Sequence, residues 1–94
     1  MAIPKHVKIY MDHFGIGMDD IWFCEATGTQ HKFMDMEIHH IWGRGKNMDI
    51  IENLMCLQRK IHTYAHGGKI YVSKSDFEYI HRSFLAGKRT AFLK

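Results

Sequence analysis

Four of the chain's eight histidines fall between residues 39 and 66, and their spacing is what could do chemistry: His39 and His40 are adjacent, and His62 and His66 lie four apart. Met36 to Ile41 interleaves apolar and β-branched residues with polar ones, which predicts a strand with both His39 and His40 at its exit. Asn53-Leu54-Met55-Cys56-Leu57 is short and apolar enough for a second strand pairing back on the first. Gln58 to Ala65 reads as a helix, and there the spacing of His62 and His66 sets their Cβ atoms roughly 5 to 6 Å apart on one face. Two imidazoles so placed can chelate one ion. Between the strands, Trp42 to Asn47 is a loop whose Gly43 and Gly45 permit unusual backbone angles. Its Arg44 and Lys46 can face an anion, and a guanidinium matches two phosphate oxygens at once.

The order His39-His40, Asn53, His62, His66 resembles the HNH nuclease motif, a strand, loop, strand and helix around one metal, also called the ββα-metal or His-Me finger fold. Asn53 to His62 spans nine residues and His62 to His66 four, an arrangement similar to that of the colicin DNases. The words HHI, GRG and ENLM resemble small phage HNH proteins. The resemblance covers Trp22 to Gly67 closely, with its core motif in 36–67. It implies that His39, His62 and His66 are metal ligands, that His40 is the general base, and that Asn53 holds the loop and does not touch the metal. Many HNH enzymes have an aspartate at the place of His39 and lack the second helix ligand.

Three neutral imidazoles are softer than carboxylates, so zinc, nickel, cobalt or manganese is expected to be the tightest single divalent ion, with magnesium still possible in turnover. Hydrolysis of a phosphodiester loads negative charge onto the phosphoryl oxygens and the departing 3′ oxygen, and a fixed cation stabilises that charge most in the transition state. An imidazole titrating near the working pH can take the water's proton, worth roughly 100- to 10,000-fold. Glu37 lies two residues before His39; it either orients a ligand histidine from behind or is solvated. His39 and His40 point to opposite faces in a regular strand, so the strand must end or twist sharply there.

The elements that must position these groups fit one α+β domain spanning residues 1–94, with an N-terminal strand or helix in front of the motif and a C-terminal helix behind it. Val7, Ile9, Met11 and Phe14 recur in near alternation, which leaves strand and helix both open for Ile3 to Phe14. Ile21 to Cys24 reads as a strand, Thr27-Gly28-Thr29 as a turn, and Lys32 to Ile41 as the strand delivering the histidines. Lys69 to Val72 reads as a short strand or extended segment. Ser75 with Glu78 predicts a capping box, followed by Phe77, Ile80, His81, Phe84 and Leu85 at helical spacing. The tail from Lys88 to Lys94 is basic, free to move or to touch DNA.

Small HNH proteins often carry two CxxC pairs around a structural zinc. Here Cys24 stands at the first such place, but Thr27, Gln58 and Ile61 stand at the others, so no structural zinc is expected. The core then rests on Trp22, Phe23, Phe33, Leu54, Leu57 and Ile61, with Met11, Met34, Met36 and Met55 as filler. Cys24 and Cys56 could meet as a disulfide if their strands are neighbours, but in a cytosolic chain free buried thiols are the expectation. Trp42 either packs or stacks on a base, and His6, His13, His31 and His81 have surface or core roles.

The formal net charge is +3, with five basic against eight acidic residues up to Gln58 and eight against two beyond it. That basic third would attract a polyanion in a salt-sensitive way. No run approaches the ~20 apolar residues of a membrane span, and the start lacks a secretory h-region, so cytoplasmic residence is the expectation, in the host if the chain is phage-encoded. The resemblance implies a DNA endonuclease acting on duplex DNA, by nicking or double-strand cleavage, with no membrane partner and with room for a homodimer or a phage protein partner. Two other readings stay open: a nucleic-acid-binding protein on the same fold without catalysis, and a structural histidine-rich metal domain. His40 separates them, because a structural site has no use for a neighbouring base.

Overall fold

The computed structural model describes residues 2–68, 70–89 and 91–93. Helix α1 (Lys5–Phe14) resolves the N-terminal ambiguity. The residue that decides it is Tyr10, fully buried and one helical turn from Val7 and Phe14, which pack partly buried beside it. A strand would have turned Tyr10 to the face opposite Val7. Gly15 closes the helix at φ 66°, its N–H bonding back to Met11 O, a left-handed cap that costs glycine little.

Two antiparallel hairpins follow. Strands β1 (Ile21–Phe23) and β2 (Gln30–Lys32) pair with Trp22 opposite His31, and β3 (Met36–His40) pairs with β4 (Leu54–Gln58). The expected strand from Lys32 to Ile41 is therefore broken. A 3₁₀ turn at Phe33–Asp35 interrupts it, with Phe33 N–H donating to Asp20 O and Met34 N–H to Met18 O. The turn drives Phe33 into the core and leaves Met34 47% exposed, so Met34 is not filler.

Helix α2 (Arg59–His62) is only four residues long and tightens into a 3₁₀ turn at Thr63–His66, so the helix expected to reach Ala65 as a regular α-helix changes pitch after one turn. Helix α3 (Lys74–Leu85) starts two residues earlier than the Ser75 signal predicts: the cap is Ser73, whose hydroxyl accepts from Asp76 N–H. The same rule applies one register back, with Asp76 at the third position. Lys69 lies outside the described residues, and Ile70 to Val72 is not a strand, although Val72 N–H bonds Tyr64 O. Thr90 and Lys94 of the basic tail also lie outside them. The rest of the tail packs back: Phe92 and Leu93 N–H both reach Ala26 O, and the Arg89 guanidinium sits 3.8 Å from the centre of the Phe84 ring. No described helix is long and apolar enough to cross a membrane.

Phe33, Leu54, Leu57 and Ile61 form the core with Tyr10, Phe77 and Phe84, whereas Trp22 and Phe23 are half-buried against it. Cys24 and Cys56 are free and buried. Through the centre runs a polar cluster. Glu25, 2% exposed, accepts from the Tyr10 hydroxyl (2.6 Å) and from Cys56 N–H (2.9 Å) and shares a proton with His81 Nδ1 (2.6 Å). His81 Nε2–H donates to Ile51 O at 2.6 Å. Burial alone pulls the His81 imidazole down, but the hydrogen bond and charge of Glu25, with the Ile51 carbonyl and Glu52 behind them, outweigh it and hold the ring above its ordinary 6.5.

A raised imidazole value gives stabilisation that is whole below pH 6.5 and is lost as pH rises through the folded-state value. His6 and His39 are lowered, so their effect is confined to the acid side of 6.5. Tyr10 and Cys56 are raised, burial being the main cause, and act only above their ordinary 10.0 and 9.0. Among the shifted groups His81 alone therefore acts between 6.5 and 9.0. Thermal melting is expected to fall across that window in the wild type and to flatten in Glu25→Gln, whose amide can accept from Tyr10 and Cys56 and donate to a neutral His81. Glu25→Leu, which orphans all three partners, should cost roughly 3 to 5 kcal/mol by urea unfolding.

Candidate functional site

The β3–β4 register sets Glu37 opposite Leu57, His39 opposite Met55 and His40 opposite Leu54. β3 ends at His40, and the chain turns through Ile41 and Trp42 to Gly43 at φ 92°. Both histidines are 8% exposed. The end of the strand resolves their opposite pointing: a cavity of about 250 Å³ lies off it, lined by Ile38, His39, His40, Gly43, Arg44, His62 and His66.

Asn53 is the tie that shapes the loop. Its Oδ1 accepts from Trp42 N–H at 2.8 Å, its Nδ2 donates to Gly43 O at 3.1 Å and to Met48 O at 3.0 Å, and its own carbonyl accepts from Ile41 N–H at 2.9 Å. One buried amide thus holds both ends of the excursion between the strands.

The His39 ring lies 4.8 Å from that of His62, centre to centre, and His62 lies 5.7 Å from His66. Burial, then the neighbouring His62 and His66, lowers His39 to about 4, so its ring is neutral at ordinary pH, as a ligand must be. Glu37 Oε1 meets His62 Nδ1 at 2.9 Å, so the carboxylate braces a histidine of the α2 segment and not His39, two residues away on its own strand. The three rings are neighbours without converging: among the described residues no three His, Cys, Asp or Glu side chains already surround one ion position. The change of pitch after His62 contributes, since three residues per turn rotates His66 further round the axis than a regular helix does. The donor set itself, three imidazoles with one braced by a carboxylate, fits a borderline divalent ion.

Arg44 reaches the histidine cavity, but Lys46 does not; it lines a separate depression with Lys5, Asn47 and Asp49. Lys74, at the start of α3, lines a hollow next to the cavity with His39, His40 and His66. Trp42 is 45% exposed, and its indole N–H donates to Glu78 at 2.8 Å, pinning the loop to α3. Three participants escaped the sequence reading. His6 lies 4.7 Å from the His40 ring, Asp49 Oδ1 meets His40 Nε2 at 2.9 Å, and Phe77 lies 5.2 Å from the His39 ring. His6 and Phe77 lie on helices outside the motif, 33 residues before His39 and 11 after His66, and no spacing rule reaches them. Asp49, inside the loop, could have been found by asking which carboxylate is close enough to orient a base.

No protein-family model, curated protein or solved structure matches the chain.

Asn53→Ala leaves Trp42 N–H and the carbonyls of Gly43 and Met48 without their partner, so it should lower unfolding stability by roughly 1 to 3 kcal/mol. Limited proteolysis should then cut first between residues 42 and 50; a variant as stable and as resistant as the wild type would remove Asn53 as the tie.

Proposed function

We propose that the chain is a metal-dependent endonuclease of the HNH, ββα-metal type, hydrolysing phosphodiester bonds of duplex DNA. The observation that carries the reading is the meeting of His39, His40, His62, His66 and Arg44 on one cavity at the end of a strand, loop, strand and helical-turn unit. Further support comes from the exposed cations Arg59, Lys60 and Lys74 nearby in sequence or space, which suit a polyanion.

His39, His62 and His66 would hold a divalent ion, which when bound supplies charge stabilisation to the phosphoryl oxygens. His39 is largely buried and neutral; His62 is fixed through Nδ1 by Glu37, leaving Nε2 as its ligating atom. His40 takes a proton from the attacking water as the water's oxygen bonds to phosphorus and the 3′ oxygen departs. Arg44 is exposed at the cavity wall, where its guanidinium can grip two oxygens of a phosphate. Phe77 packs beside the His39 ring, 5.2 Å between centres, and limits its movement.

The test is cleavage of supercoiled plasmid by protein stripped of metal and resupplied with magnesium, manganese, zinc, nickel or cobalt. Wild type should nick or linearise the plasmid, and His40→Ala should lose roughly 100- to 10,000-fold of that rate while still binding the ion. No cleavage with any ion by a wild type that binds metal would turn the reading to a binding or structural role.

The double variant His62→Ala, His66→Ala should lose both the bound ion, by elemental analysis, and the rise in melting temperature that the ion gives, because binding to the folded state stabilises it. Melting of the wild type that is indifferent to chelator would count against the site.

A further inference from the structure

We propose that Asp49 is a positioning residue for His40: it accepts the Nε2–H of the imidazole and so leaves Nδ1 as the atom that takes the proton from water. The inference rests on the nuclease reading for its catalytic consequence, but not for the tautomer itself.

The geometry is specific. His40 is buried at the end of β3, and its Nε2 lies 2.9 Å from Asp49 Oδ1, nine residues on in the loop. A carboxylate can only accept, so the proton between them belongs to Nε2. The hydrogen bond from His40 is itself the main cause of a lowered Asp49 carboxyl, which keeps it ionised at neutral pH. No described residue bonds His40 Nδ1, and no buried side-chain nitrogen or oxygen among the described residues lacks a partner. Nδ1 is therefore open to solvent, where the ring lines the histidine cavity. His6, from α1, lies with its ring 4.7 Å from His40 at 52° and limits its rotation. The loop that brings Asp49 into place is the one Asn53 ties down, through Met48 O next to it. Thus the carboxylate fixes which nitrogen is basic, and the histidine stack fixes where it points.

The same strand end sorts two adjacent histidines into two jobs. Among the described residues the His39 ring has no carboxylate partner and faces His62 and Phe77, while His40 has Asp49 and His6. An imidazole whose Nε2–H is held by a carboxylate is the arrangement that suits proton transfer, since the carboxylate also stabilises the imidazolium that forms.

The test combines a spectroscopic and a kinetic arm on the full chain. Long-range ¹⁵N–¹H correlation spectra of protein labelled at histidine, taken at mildly alkaline pH, read the tautomer directly. The wild type should show His40 as a single Nε2–H form with that proton shifted downfield. Asp49→Asn, whose amide can present a donor, should shift the ring toward the Nδ1–H form or a mixture. In plasmid cleavage Asp49→Asn should lower kcat by roughly 100-fold or more, with KM and bound metal unchanged. Asp49→Glu should recover part of the loss, and Asp49→Asn should add nothing on a His40→Ala background. A wild-type ring that is Nδ1–H or averaged, or an Asp49→Asn protein with unchanged tautomer and kcat, overturns the assignment. If the wild type cleaves nothing, the nuclease reading fails, and the spectra still decide whether Asp49 sets the tautomer.

Discussion

Glu25 is the group on which the arrangement depends. One carboxyl, 2% exposed, meets the Tyr10 hydroxyl of α1, the Cys56 amide of β4 and the His81 imidazole of α3, and His81 carries the connection on to the Ile51 carbonyl. Each of these polar atoms is expensive to bury alone, and each is satisfied only if all four segments are in place together. The cluster therefore specifies the relative seating of α1, the second hairpin and α3 more sharply than apolar packing does. A chain of 94 residues has a modest core and gains from such a device.

That seating is what makes the site. Once His81 fixes α3, Phe77 on the same helix falls beside His39, and Lys74 beside the cavity. Once Tyr10 fixes α1, His6, one turn earlier on that helix, falls on His40. Ile51, the last acceptor of the cluster, opens the 3₁₀ turn that ends in Asn53, whose side chain closes the loop carrying Arg44 and Asp49. Core and site are thus linked by two residues of backbone.

The local part of this was legible in the sequence and the tertiary part was not. Alternation found β3, a short apolar run found β4, and turn residues found the connection between β1 and β2, because each of these signals is carried by neighbours in sequence. Alternation ran β2 and β3 together because Phe33 and Met34 are both apolar, and only the pull of Asp20 and Met18 on the intervening amides shows that the chain kinks there. Histidine spacing found His39, His40, His62 and His66, and the resemblance singled out Asn53. Neither could find Glu25 or His81, since a buried ion pair 56 positions apart leaves no periodic trace. For the same reason His6 read as an ordinary surface or core histidine.

The segment carrying His62 and His66 shows why fold and chemistry cannot be separated here. A single turn of α-helix running into a 3₁₀ turn has no stability of its own in water. It is held by Ile61 in the core, by the Val72 amide on Tyr64 O and by Glu37 on His62. Of these, only the first is apolar and fully buried. A ligand gripped by His39 and by this segment would tie the sheet to its least supported neighbour, so the free energy of holding that ligand and of ordering residues 59 to 66 would be one quantity.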